Sequence, residues 1–560
     1  MSSRIRRSGL RIMGNLVSLL GGFALVLLGA VMNGSIGYLC AMGVTVLGAA
    51  GVAKALGENI ALSYNWLIAL AIGCGVLRGL LRYIEQYSNH YIAFKLLAIL
   101  RDHIFQVLRK LCPAKLEGRQ KGSIIAMLTS DIETLEVFYA HTLSPICIAV
   151  LVSLTVCVFT GTVVSPWLAA TAFLGYLVIG ILVPVFSSAV LKEPGVNYRR
   201  EFASFNSYFL DSIKGIQDIL FHNAGEQRKK EVNERSEKLL KETRRMKEAS
   251  TKAAAFTELI ISLFIILTLA VGILLVHKGE ITVGKMVLGV VTVFGSFGPV
   301  IAISALPGNL TQTFASGDRV LNLLEETPVA EEITNGKNIS YEKLEVKNLS
   351  FAYSTNEPVL KNICMHAKKG EIVGIVGESG CGKSTLLKLL LRFWKKDSGE
   401  INYNNIDIEQ INTSNLLDNV TMVSQVTYLF DDTIEENLRI ARPDATKEEL
   451  EEACRLASVH DFITTLPQGY KTKVGALGDN LSAGEKQRIG LARAFLSGRE
   501  LVLLDEPTSN VDSINEGIIL KALALQKRKK SIILVSHRES TMAIADRVYK
   551  VSGCKIQELA

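Results

Sequence analysis

The sequence lacks the features that mark secreted, repetitive and nucleic-acid-binding proteins. None of its nine cysteines forms a Cys-x-x-Cys pair, so we expect free, reduced thiols rather than disulfides or a zinc site of that spacing. No internal repeat or low-complexity tract occurs, which argues against a repeat architecture. The net charge is a mild +7 and no basic stripe carries interleaved aromatic residues, so no nucleic-acid partner is expected.

Hydrophobic residues make up 49% of the 560 positions, which is high for a wholly soluble protein. The excess lies in residues 1–320, where we count six apolar runs of roughly the 20 residues that a bilayer core requires. Charge-rich helical patterns between several runs predict helices that continue well beyond the membrane, joined by short transverse segments near Lys115–Ser123 and Phe221–Gln227. We also expect an interfacial elbow helix before the first span.

These patterns predict an all-α membrane domain of six spans fused to an α/β P-loop ATPase domain with a helical subdomain. We set the membrane domain at 1–322, a polar linker at 323–342 and the ATPase domain at 343–560. Lys and Arg crowd the N-terminus and the long connections, which is the positive-inside pattern. It predicts a multi-pass protein in the lipid of the cell membrane, with both termini and the ATPase domain in the cytoplasm.

The stretch Gly377-Glu-Ser-Gly-Cys-Gly-Lys-Ser-Thr385 reads Gly-x-x-x-x-Gly-Lys-Ser, the P-loop pattern, between an apolar strand-like run and a helix-like run. Its glycines let backbone N–H groups converge on phosphate oxygens at a helix N-terminus. Lys383 would reach the β- and γ-phosphates, and the Ser384 hydroxyl would bind Mg²⁺. The predicted ATP-binding residues of this loop are Gly377, Ser379, Gly380, Cys381, Gly382, Lys383, Ser384 and Thr385.

Further polar residues follow predicted strands. Asp505 is expected to hold Mg²⁺, directly or through water, and Glu506 to polarise the attacking water. Gln425 is expected to contact both metal and water, and His537 the γ-phosphate. Tyr353, upstream of the P-loop, is expected to stack on adenine. Together they predict a nucleotide-hydrolysing site with Glu506, His537 and Gln425 as its catalytic residues.

The order of these residues, with Leu481-Ser-Ala-Gly-Glu-Lys-Gln-Arg488 between Gln425 and Asp505, resembles the ATPase domain of ABC transporters, and the six spans resemble the exporter-type membrane domain. The resemblance implies that Ser482 and Gly484 bind the γ-phosphate of ATP held on a partner's P-loop. One chain then holds half of each site, so a second half-transporter is implied, and fusion of the two domains favours export.

Two positions depart from the family's usual Leu-Ser-Gly-Gly-Gln signature. Ala483 replaces its first glycine, and Glu485 replaces its glutamine. The resemblance implies that the altered signature serves the partner's nucleotide, whereas this chain's P-loop and Glu506 use the partner's signature. We therefore predict two unequal sites in the dimer, with hydrolysis mainly at this chain's own P-loop.

The second span carries ionisable residues at helical spacing, namely Arg78, Arg82, Glu85 and Asn89, with His90 beside them. Ionisable groups at membrane depth face a cavity or one another. Two interpretations stay open: a simple internal pair between Arg82 and Glu85, and an anion-attracting site in the translocation cavity.

The stretch 82–101, with Leu111-Cys-Pro-Ala114 and Thr129–Glu136, resembles the CydC-type subunit of the thiol-exporting ABC transporter tied to cytochrome bd assembly. The resemblance implies a heterodimer with a CydD-type partner, with a homodimer as the alternative. It implies glutathione or cysteine as cargo, and haem as a possible ligand of His90, although a packed polar histidine is an equal interpretation. A multidrug or lipid exporter is the alternative function, and a non-transporting ABC ATPase is disfavoured by the six spans.

Overall fold

The computed structural model describes residues 7–117, 121–304, 306–353, 357–475, 478–509, 511–527 and 529–559. The chain forms two compact units: Met1–Val107 with Arg119–Glu326, and Leu108–Gly118 with Thr327–Ala560. The first unit is helical, and the strands that the structure describes lie in the second. The boundaries 322/323 and 342/343 stay a prediction, although β1 does begin at Lys343.

Several helices up to residue 324 are long because their sequence is apolar or amphipathic over many turns, and short helices lie between them. In chain order, the long and short helices are α1 (Gly9–Ser18), α2 (Ala24–Ala55), α3 (Tyr64–Leu111), α4 (Lys121–Ala126), α5 (Ile132–Phe138), α6 (Ser144–Phe159), α7 (Pro166–Leu177), α8 (Val183–Lys214), α9 (Ile216–Phe221), α10 (Gly225–His277), α11 (Val283–Ser296), α12 (Gly298–Ser304) and α13 (Pro307–Leu324). Short π-helical segments connect several of them, at Met127–Asp131, Tyr139–Leu143, Thr160–Val164 and Val178–Leu182.

Six helical segments among the described residues are long and apolar enough to cross a membrane, which confirms the predicted number of spans. They are Gly21–Ala55, Tyr64–Leu111, Gly122–Val164, Pro166–Lys214, Gly225–His277 and Val283–Ile303. At about 1.5 Å per residue, the 53 residues of α10 extend far beyond a hydrocarbon core of about 30 Å. The predicted extension of helices past the membrane is therefore present.

The connection between α8 and α10 turns earlier in the chain than the sequence predicted. We placed its transverse segment at Phe221–Gln227, but the short helix is α9, Ile216–Phe221, and α10 has already begun at Gly225. The chain turns twice, because Gly215 ends α8 and Asn223 adopts a positive φ of 52°. In the other predicted transverse segment, residues 118–120 lie outside the described part of the chain.

Ten strands lie among the described residues of the second unit: β1 (Lys343–Ala352), β2 (Pro358–Lys368), β3 (Ile372–Gly377), β4 (Ser398–Tyr403), β5 (Ile406–Asp407), β6 (Val420–Val423), β7 (Leu501–Asp505), β8 (Ser531–Ser536), β9 (Arg547–Ser552) and β10 (Lys555–Leu559). Its helices are α14 (Lys383–Leu390), α15 (Thr413–Asn419), α16 (Ile434–Arg439), α17 (Lys447–Leu456), α18 (His460–Thr465), α19 (Ala483–Leu496), α20 (Ser513–Gln526) and α21 (Glu539–Met542). With these elements the predicted fold class is confirmed.

Two sheets organise this unit. One has the order β2-β1-β4-β5 and is antiparallel, and the other has the order β10-β9-β3-β8-β7-β6, with β6, β7, β8, β3 and β9 parallel. Every residue of β7 and β8 is buried, as their continuous apolar runs predicted. Helices α16 and α17 pack against α19 as a helical subdomain. Because β3, β7 and β8 are parallel neighbours, their carboxyl ends meet at one edge of the sheet.

Candidate functional site

The P-loop joins β3 to α14 at that edge. Gly380 and Gly382 adopt positive φ angles of 82° and 99°, which glycine adopts without steric cost. A Cβ on Gly377 would lie 2.4 Å from the backbone oxygen of Val551, so no side chain fits there. Ser379 is exposed on the outer part of the loop, and Cys381 is partly buried. The loop therefore has the backbone geometry that a phosphate cradle needs.

Lys383 lies across this loop. Its side chain is buried, and Nζ donates to the backbone oxygens of Gly377 at 2.8 Å and Glu378 at 2.7 Å. The ammonium group is thus held directly at the loop, where a phosphate group could replace these carbonyl partners. This placement suits the predicted role of Lys383 in binding the β- and γ-phosphates.

Ser384 and Asp505 come together although 121 positions separate them in sequence, since α14 and β7 meet at the same edge. The Ser384 hydroxyl donates to the Asp505 carboxylate. Burial raises the pKa of Asp505, and the hydrogen bond from Ser384 acts in the opposite direction. A hydroxyl and a buried carboxylate are hard oxygen donors, which fit Mg²⁺. When bound, Mg²⁺ would neutralise charge on the nucleotide phosphates.

Glu506 follows directly after β7 and is the centre of the predicted catalytic group. Its Oε2 accepts a hydrogen bond from Nε2 of Gln425 at 2.9 Å, and its Oε1 lies 3.2 Å from Nδ1 of His537. The structure thus joins the three residues that we predicted as catalytic. In this arrangement Gln425 faces Glu506, and the carboxylate is partly buried, with its side chain 15% exposed.

Tyr353 stands beside the P-loop helix. Its hydroxyl lies 2.9 Å from Oγ1 of Thr385, and its ring meets Trp394 edge-on at 4.8 Å between centroids. The tyrosine is 45% exposed, so part of its ring remains open to a base. Sequence reasoning missed Trp394, which only the return of the chain after α14 brings to this position.

The signature segment forms the start of α19. Ser482 caps the helix and Gly484 lies in its first turn. The Ser482 N–H donates to Glu485 Oε2 at 2.7 Å, and the Glu485 N–H donates to Ser482 Oγ at 3.3 Å, which is a reciprocal capping box. The substitution at Glu485 therefore places a carboxylate at the helix N-terminus, where the family resemblance expects a phosphate.

Two further buried polar residues hold the catalytic segments, and no motif pointed to them. Gln487 on α19 donates from Nε2 to the backbone oxygen of Glu506 at 2.6 Å. Glu516 on α20 accepts from Arg538 at 2.6 Å, next to His537, and from Thr508 at 3.3 Å. The sequence does show a polar residue at a core-facing position of each helix, which indicates a buried hydrogen bond. It does not show which distant residue is the partner in that bond.

The first unit contains the polar cluster predicted on the second span. Arg82 Nη1 lies 2.5 Å from Glu85 Oε2, and Asn89 Nδ2 donates to Glu85 Oε1 at 3.3 Å. Glu85 and Asn89 are each 1% exposed, whereas Arg82 reaches outward over the ring of Tyr38. Arg78 is exposed one turn earlier and is not among these contacts. We call Arg82, Glu85 and Asn89 the polar cluster.

His90 lies one residue beyond this cluster and contacts the third span. Its Nδ1 lies 3.2 Å from Oε1 of Glu136, and its ring meets that of His141 at 5.3 Å. It also lines a cavity of about 660 Å³, together with Tyr83, Tyr87, Tyr91, Phe94 and Lys95. Tyr83, Tyr87 and Tyr91 stack along α3 at centroid distances of 6.2 and 6.5 Å. We call these three tyrosines the aromatic ladder.

Known proteins are similar in sequence to most of this chain. Residues 360–509 match the ABC transporter family, and residues 19–300 match the ABC transporter transmembrane region. A Haemophilus influenzae protein, named provisionally an ABC transporter ATP-binding/permease protein, is 45% identical over 550 residues, covering 98% of this chain and 99% of that protein. A Staphylococcus aureus protein, named provisionally a multidrug export ATP-binding/permease protein, is 32% identical over 507 residues, covering 88% and 86%.

A solved structure also matches most of the chain. The structure of a bacterial Atm1-family ABC exporter with ATP bound has a TM-score of 0.83, at 22% identity, and covers 96% of this chain and 95% of its own. At that identity the likeness establishes a shared fold.

Proposed function

The chain belongs to the ABC transporter family, and from that premise we propose that it is one half of an ATP-driven exporter whose cargo is a small thiol with carboxylate groups, such as glutathione or cysteine. The family and the fused transmembrane and ATP-binding regions support ATP-driven export. The thiol cargo and the CydC-type identity rest on the sequence resemblance in the second span.

The polar cluster is the structural observation that supports the carboxylate part of the cargo proposal. Glu85 is fully buried in a membrane-spanning helix, and its ion pair leaves the guanidinium of Arg82 half exposed. A charged group at membrane depth is costly and therefore points to a functional role. Arg82 presents planar donors that suit a carboxylate. An acidic cargo can therefore bind at Arg82 while Glu85 keeps that side chain in place.

A second half-transporter is needed to complete the proposed exporter. The P-loop and the signature of one chain each supply half of a nucleotide site, so a dimer is needed, as in ABC exporters generally. We propose a CydD-type partner, with a homodimer as the alternative. The positive-inside pattern supports cytoplasmic placement of both termini and of the ATPase domain.

Multidrug export is the second candidate function, and the aromatic ladder favours it. Its tyrosines are 67%, 63% and 41% exposed and line the cavity on α3. Exposed aromatic faces bind apolar and cationic compounds. The name of the Staphylococcus aureus relative also refers to multidrug export. In this case the polar cluster would serve only to hold α3 in place.

Transport in proteoliposomes distinguishes the two functions. The complex is purified from its native membrane with its partner and reconstituted into proteoliposomes. Uptake driven by ATP added outside is then measured for labelled glutathione, labelled cysteine and a cationic dye. The thiol proposal expects thiol uptake that Arg82→Gln strongly reduces. Arg109→Gln, a charge loss on the same helix beyond the cavity, serves as the matched control.

Because Arg82→Gln leaves Glu85 without its cation, the double variant Arg82→Gln/Glu85→Gln is measured as well. The thiol proposal expects both variants to lose thiol uptake while basal ATP hydrolysis continues. Dye uptake without thiol uptake would overturn the thiol cargo in favour of multidrug export. Absence of ATP hydrolysis in the wild-type complex would overturn the transporter assignment.

A further inference from the structure

Gln487 is a buried polar residue on the helix that begins at the signature segment. It lies within the second turn of α19, after the N-cap Ser482. Only 2% of Gln487 is exposed, and its Nε2 donates to the backbone oxygen of Glu506 at 2.6 Å. One side chain therefore joins the signature helix to the peptide group of the proposed catalytic glutamate.

The backbone of Glu506 has an unusual conformation. Its φ is 51°, in the left-handed region that residues other than glycine rarely adopt. Its N–H donates to the backbone oxygen of Val535 at 2.9 Å, while its own oxygen accepts from Gln487. Such a conformation persists only when surrounding contacts hold it. The direction of the Glu506 carboxylate therefore depends on contacts to β8 and to α19.

We propose that Gln487 is a positioning residue that makes the orientation of the Glu506 carboxylate depend on the placement of the signature helix. The proposal rests on the ATPase function proposed above. In the proposed dimer, the family resemblance places the N-terminus of α19 at the partner's nucleotide, and Gln487 connects that helix to Glu506. Nucleotide bound at one site thus influences the hydrolytic residue of the other site through the contact between Gln487 and the Glu506 backbone.

Two substitutions test the hydrogen bond and one controls for packing. Gln487→Met keeps the length but removes the donor, and Gln487→Glu presents a carboxylate to a carbonyl oxygen. Ile489→Val is a small change at a buried position of the same helix. Each full-length variant is purified with its partner, and kcat and KM for MgATP are measured from pH 6 to 8, together with the thermal unfolding midpoint.

The proposal expects both Gln487 variants to lower kcat by about 10- to 100-fold, since small displacements of catalytic groups have effects of that size. KM stays within about twofold of wild type, because the P-loop contacts are unchanged. Burial beside a carbonyl oxygen raises the pKa of the carboxyl group introduced by Gln487→Glu, so lowering the pH from 8 to 6 protonates it, and it then donates to the backbone oxygen of Glu506. Relative to wild type, kcat of this variant therefore rises several-fold from pH 8 to pH 6, whereas that of Gln487→Met does not.

Three results would overturn the proposal: wild-type kcat in Gln487→Met, an equal loss in Ile489→Val, or identical pH profiles for the two Gln487 variants. If every variant lowered the thermal unfolding midpoint and lost kcat in proportion, Gln487 would contribute to packing alone, which would also overturn the proposal. An inactive wild-type complex would overturn the ATPase function and this inference with it. An active wild type with unaffected variants would overturn this inference alone.

Discussion

Nδ1 of His537 lies 3.2 Å from Oε1 of Glu506, across the carboxyl ends of two neighbouring parallel strands. Gln425 approaches the other oxygen of the same carboxylate at 2.9 Å. Two polar groups from separate strand ends thus flank the Glu506 carboxylate beside the P-loop. A carboxylate held in this way can orient a water molecule for attack on the γ-phosphate.

Glu506→Gln is the direct test of this arrangement. The amide keeps the size of the side chain but cannot accept a proton, so we expect ATP hydrolysis by the purified complex to fall at least about 100-fold while ATP still binds. Steady-state hydrolysis and binding of a fluorescent ATP analogue are the measurements. The same substitution also tests the unequal-site prediction, because hydrolysis is expected mainly at this chain's P-loop. Unchanged hydrolysis in the variant complex would contradict both predictions.

The ion pair between buried Glu516 and partly exposed Arg538 leads to a second prediction. Arg538 follows His537 directly, and Glu516 also bonds Thr508, two residues after Glu506. Removing one partner of a fully buried pair leaves an uncompensated charge that costs about 3–5 kcal/mol. The cost is smaller here because the Arg538 side chain is 35% exposed and water screens its charge. We therefore expect Glu516→Gln to lower the thermal unfolding midpoint and to reduce kcat about tenfold, with little change in KM.

The double variant Glu516→Gln/Arg538→Gln separates the two effects. It removes both charges, so we expect the unfolding midpoint to recover toward wild type while kcat stays low, because His537 is no longer held. Thermal unfolding and ATPase kinetics on the same preparations provide the comparison. Full recovery of kcat together with stability would show that the pair acts through stability alone.

Site residues could be predicted from the sequence where they belong to a continuous motif. They could not be predicted where the site depends on contacts between residues that are distant in the chain. The P-loop could be predicted because its glycines, lysine and serine are contiguous and their flanking strand and helix are readable from periodicity. Gln487 and Glu516 could not, since their partners follow from which strands become neighbours. The turn between α8 and α10 was misplaced at Phe221–Gln227 because both Gly215 and Asn223 lie at the ends of helical segments, and the sequence alone favoured the later one.

His90 carries the haem prediction. Its Nδ1 faces Glu136 at 3.2 Å, and a carboxylate at one imidazole nitrogen commonly orients the other toward a metal. The aromatic ladder beside it offers surfaces for a planar ring. We expect titration of the purified complex with haem to give a saturable absorbance change, and His90→Ala to weaken the affinity by about tenfold or more. His103→Ala, an exposed histidine on the same helix, is expected to bind as wild type does.

Two results would contradict the haem prediction. Unaltered titration in His90→Ala would assign His90 to a packed polar contact with Glu136 and His141. Absence of any saturable change in the wild type would remove haem as a ligand of this site. Neither result affects the thiol proposal, which depends on Arg82.

Cys381 gives a prediction about chemical inactivation. Its sulfur lies 3.8 Å from Nζ of Lys383, and a Cβ on Gly377 would lie 2.9 Å from it, so the thiol is inside the phosphate loop. A maleimide attached there would occupy the space of the phosphates, and we expect it to abolish ATP hydrolysis. Bound ATP should protect, because the nucleotide covers the loop.

Cys381→Ser is expected to hydrolyse ATP and to resist the reagent, whereas Cys364→Ser, which removes an exposed thiol elsewhere, should remain sensitive. Equal inactivation with and without ATP, or inactivation of Cys381→Ser, would show that another thiol is responsible.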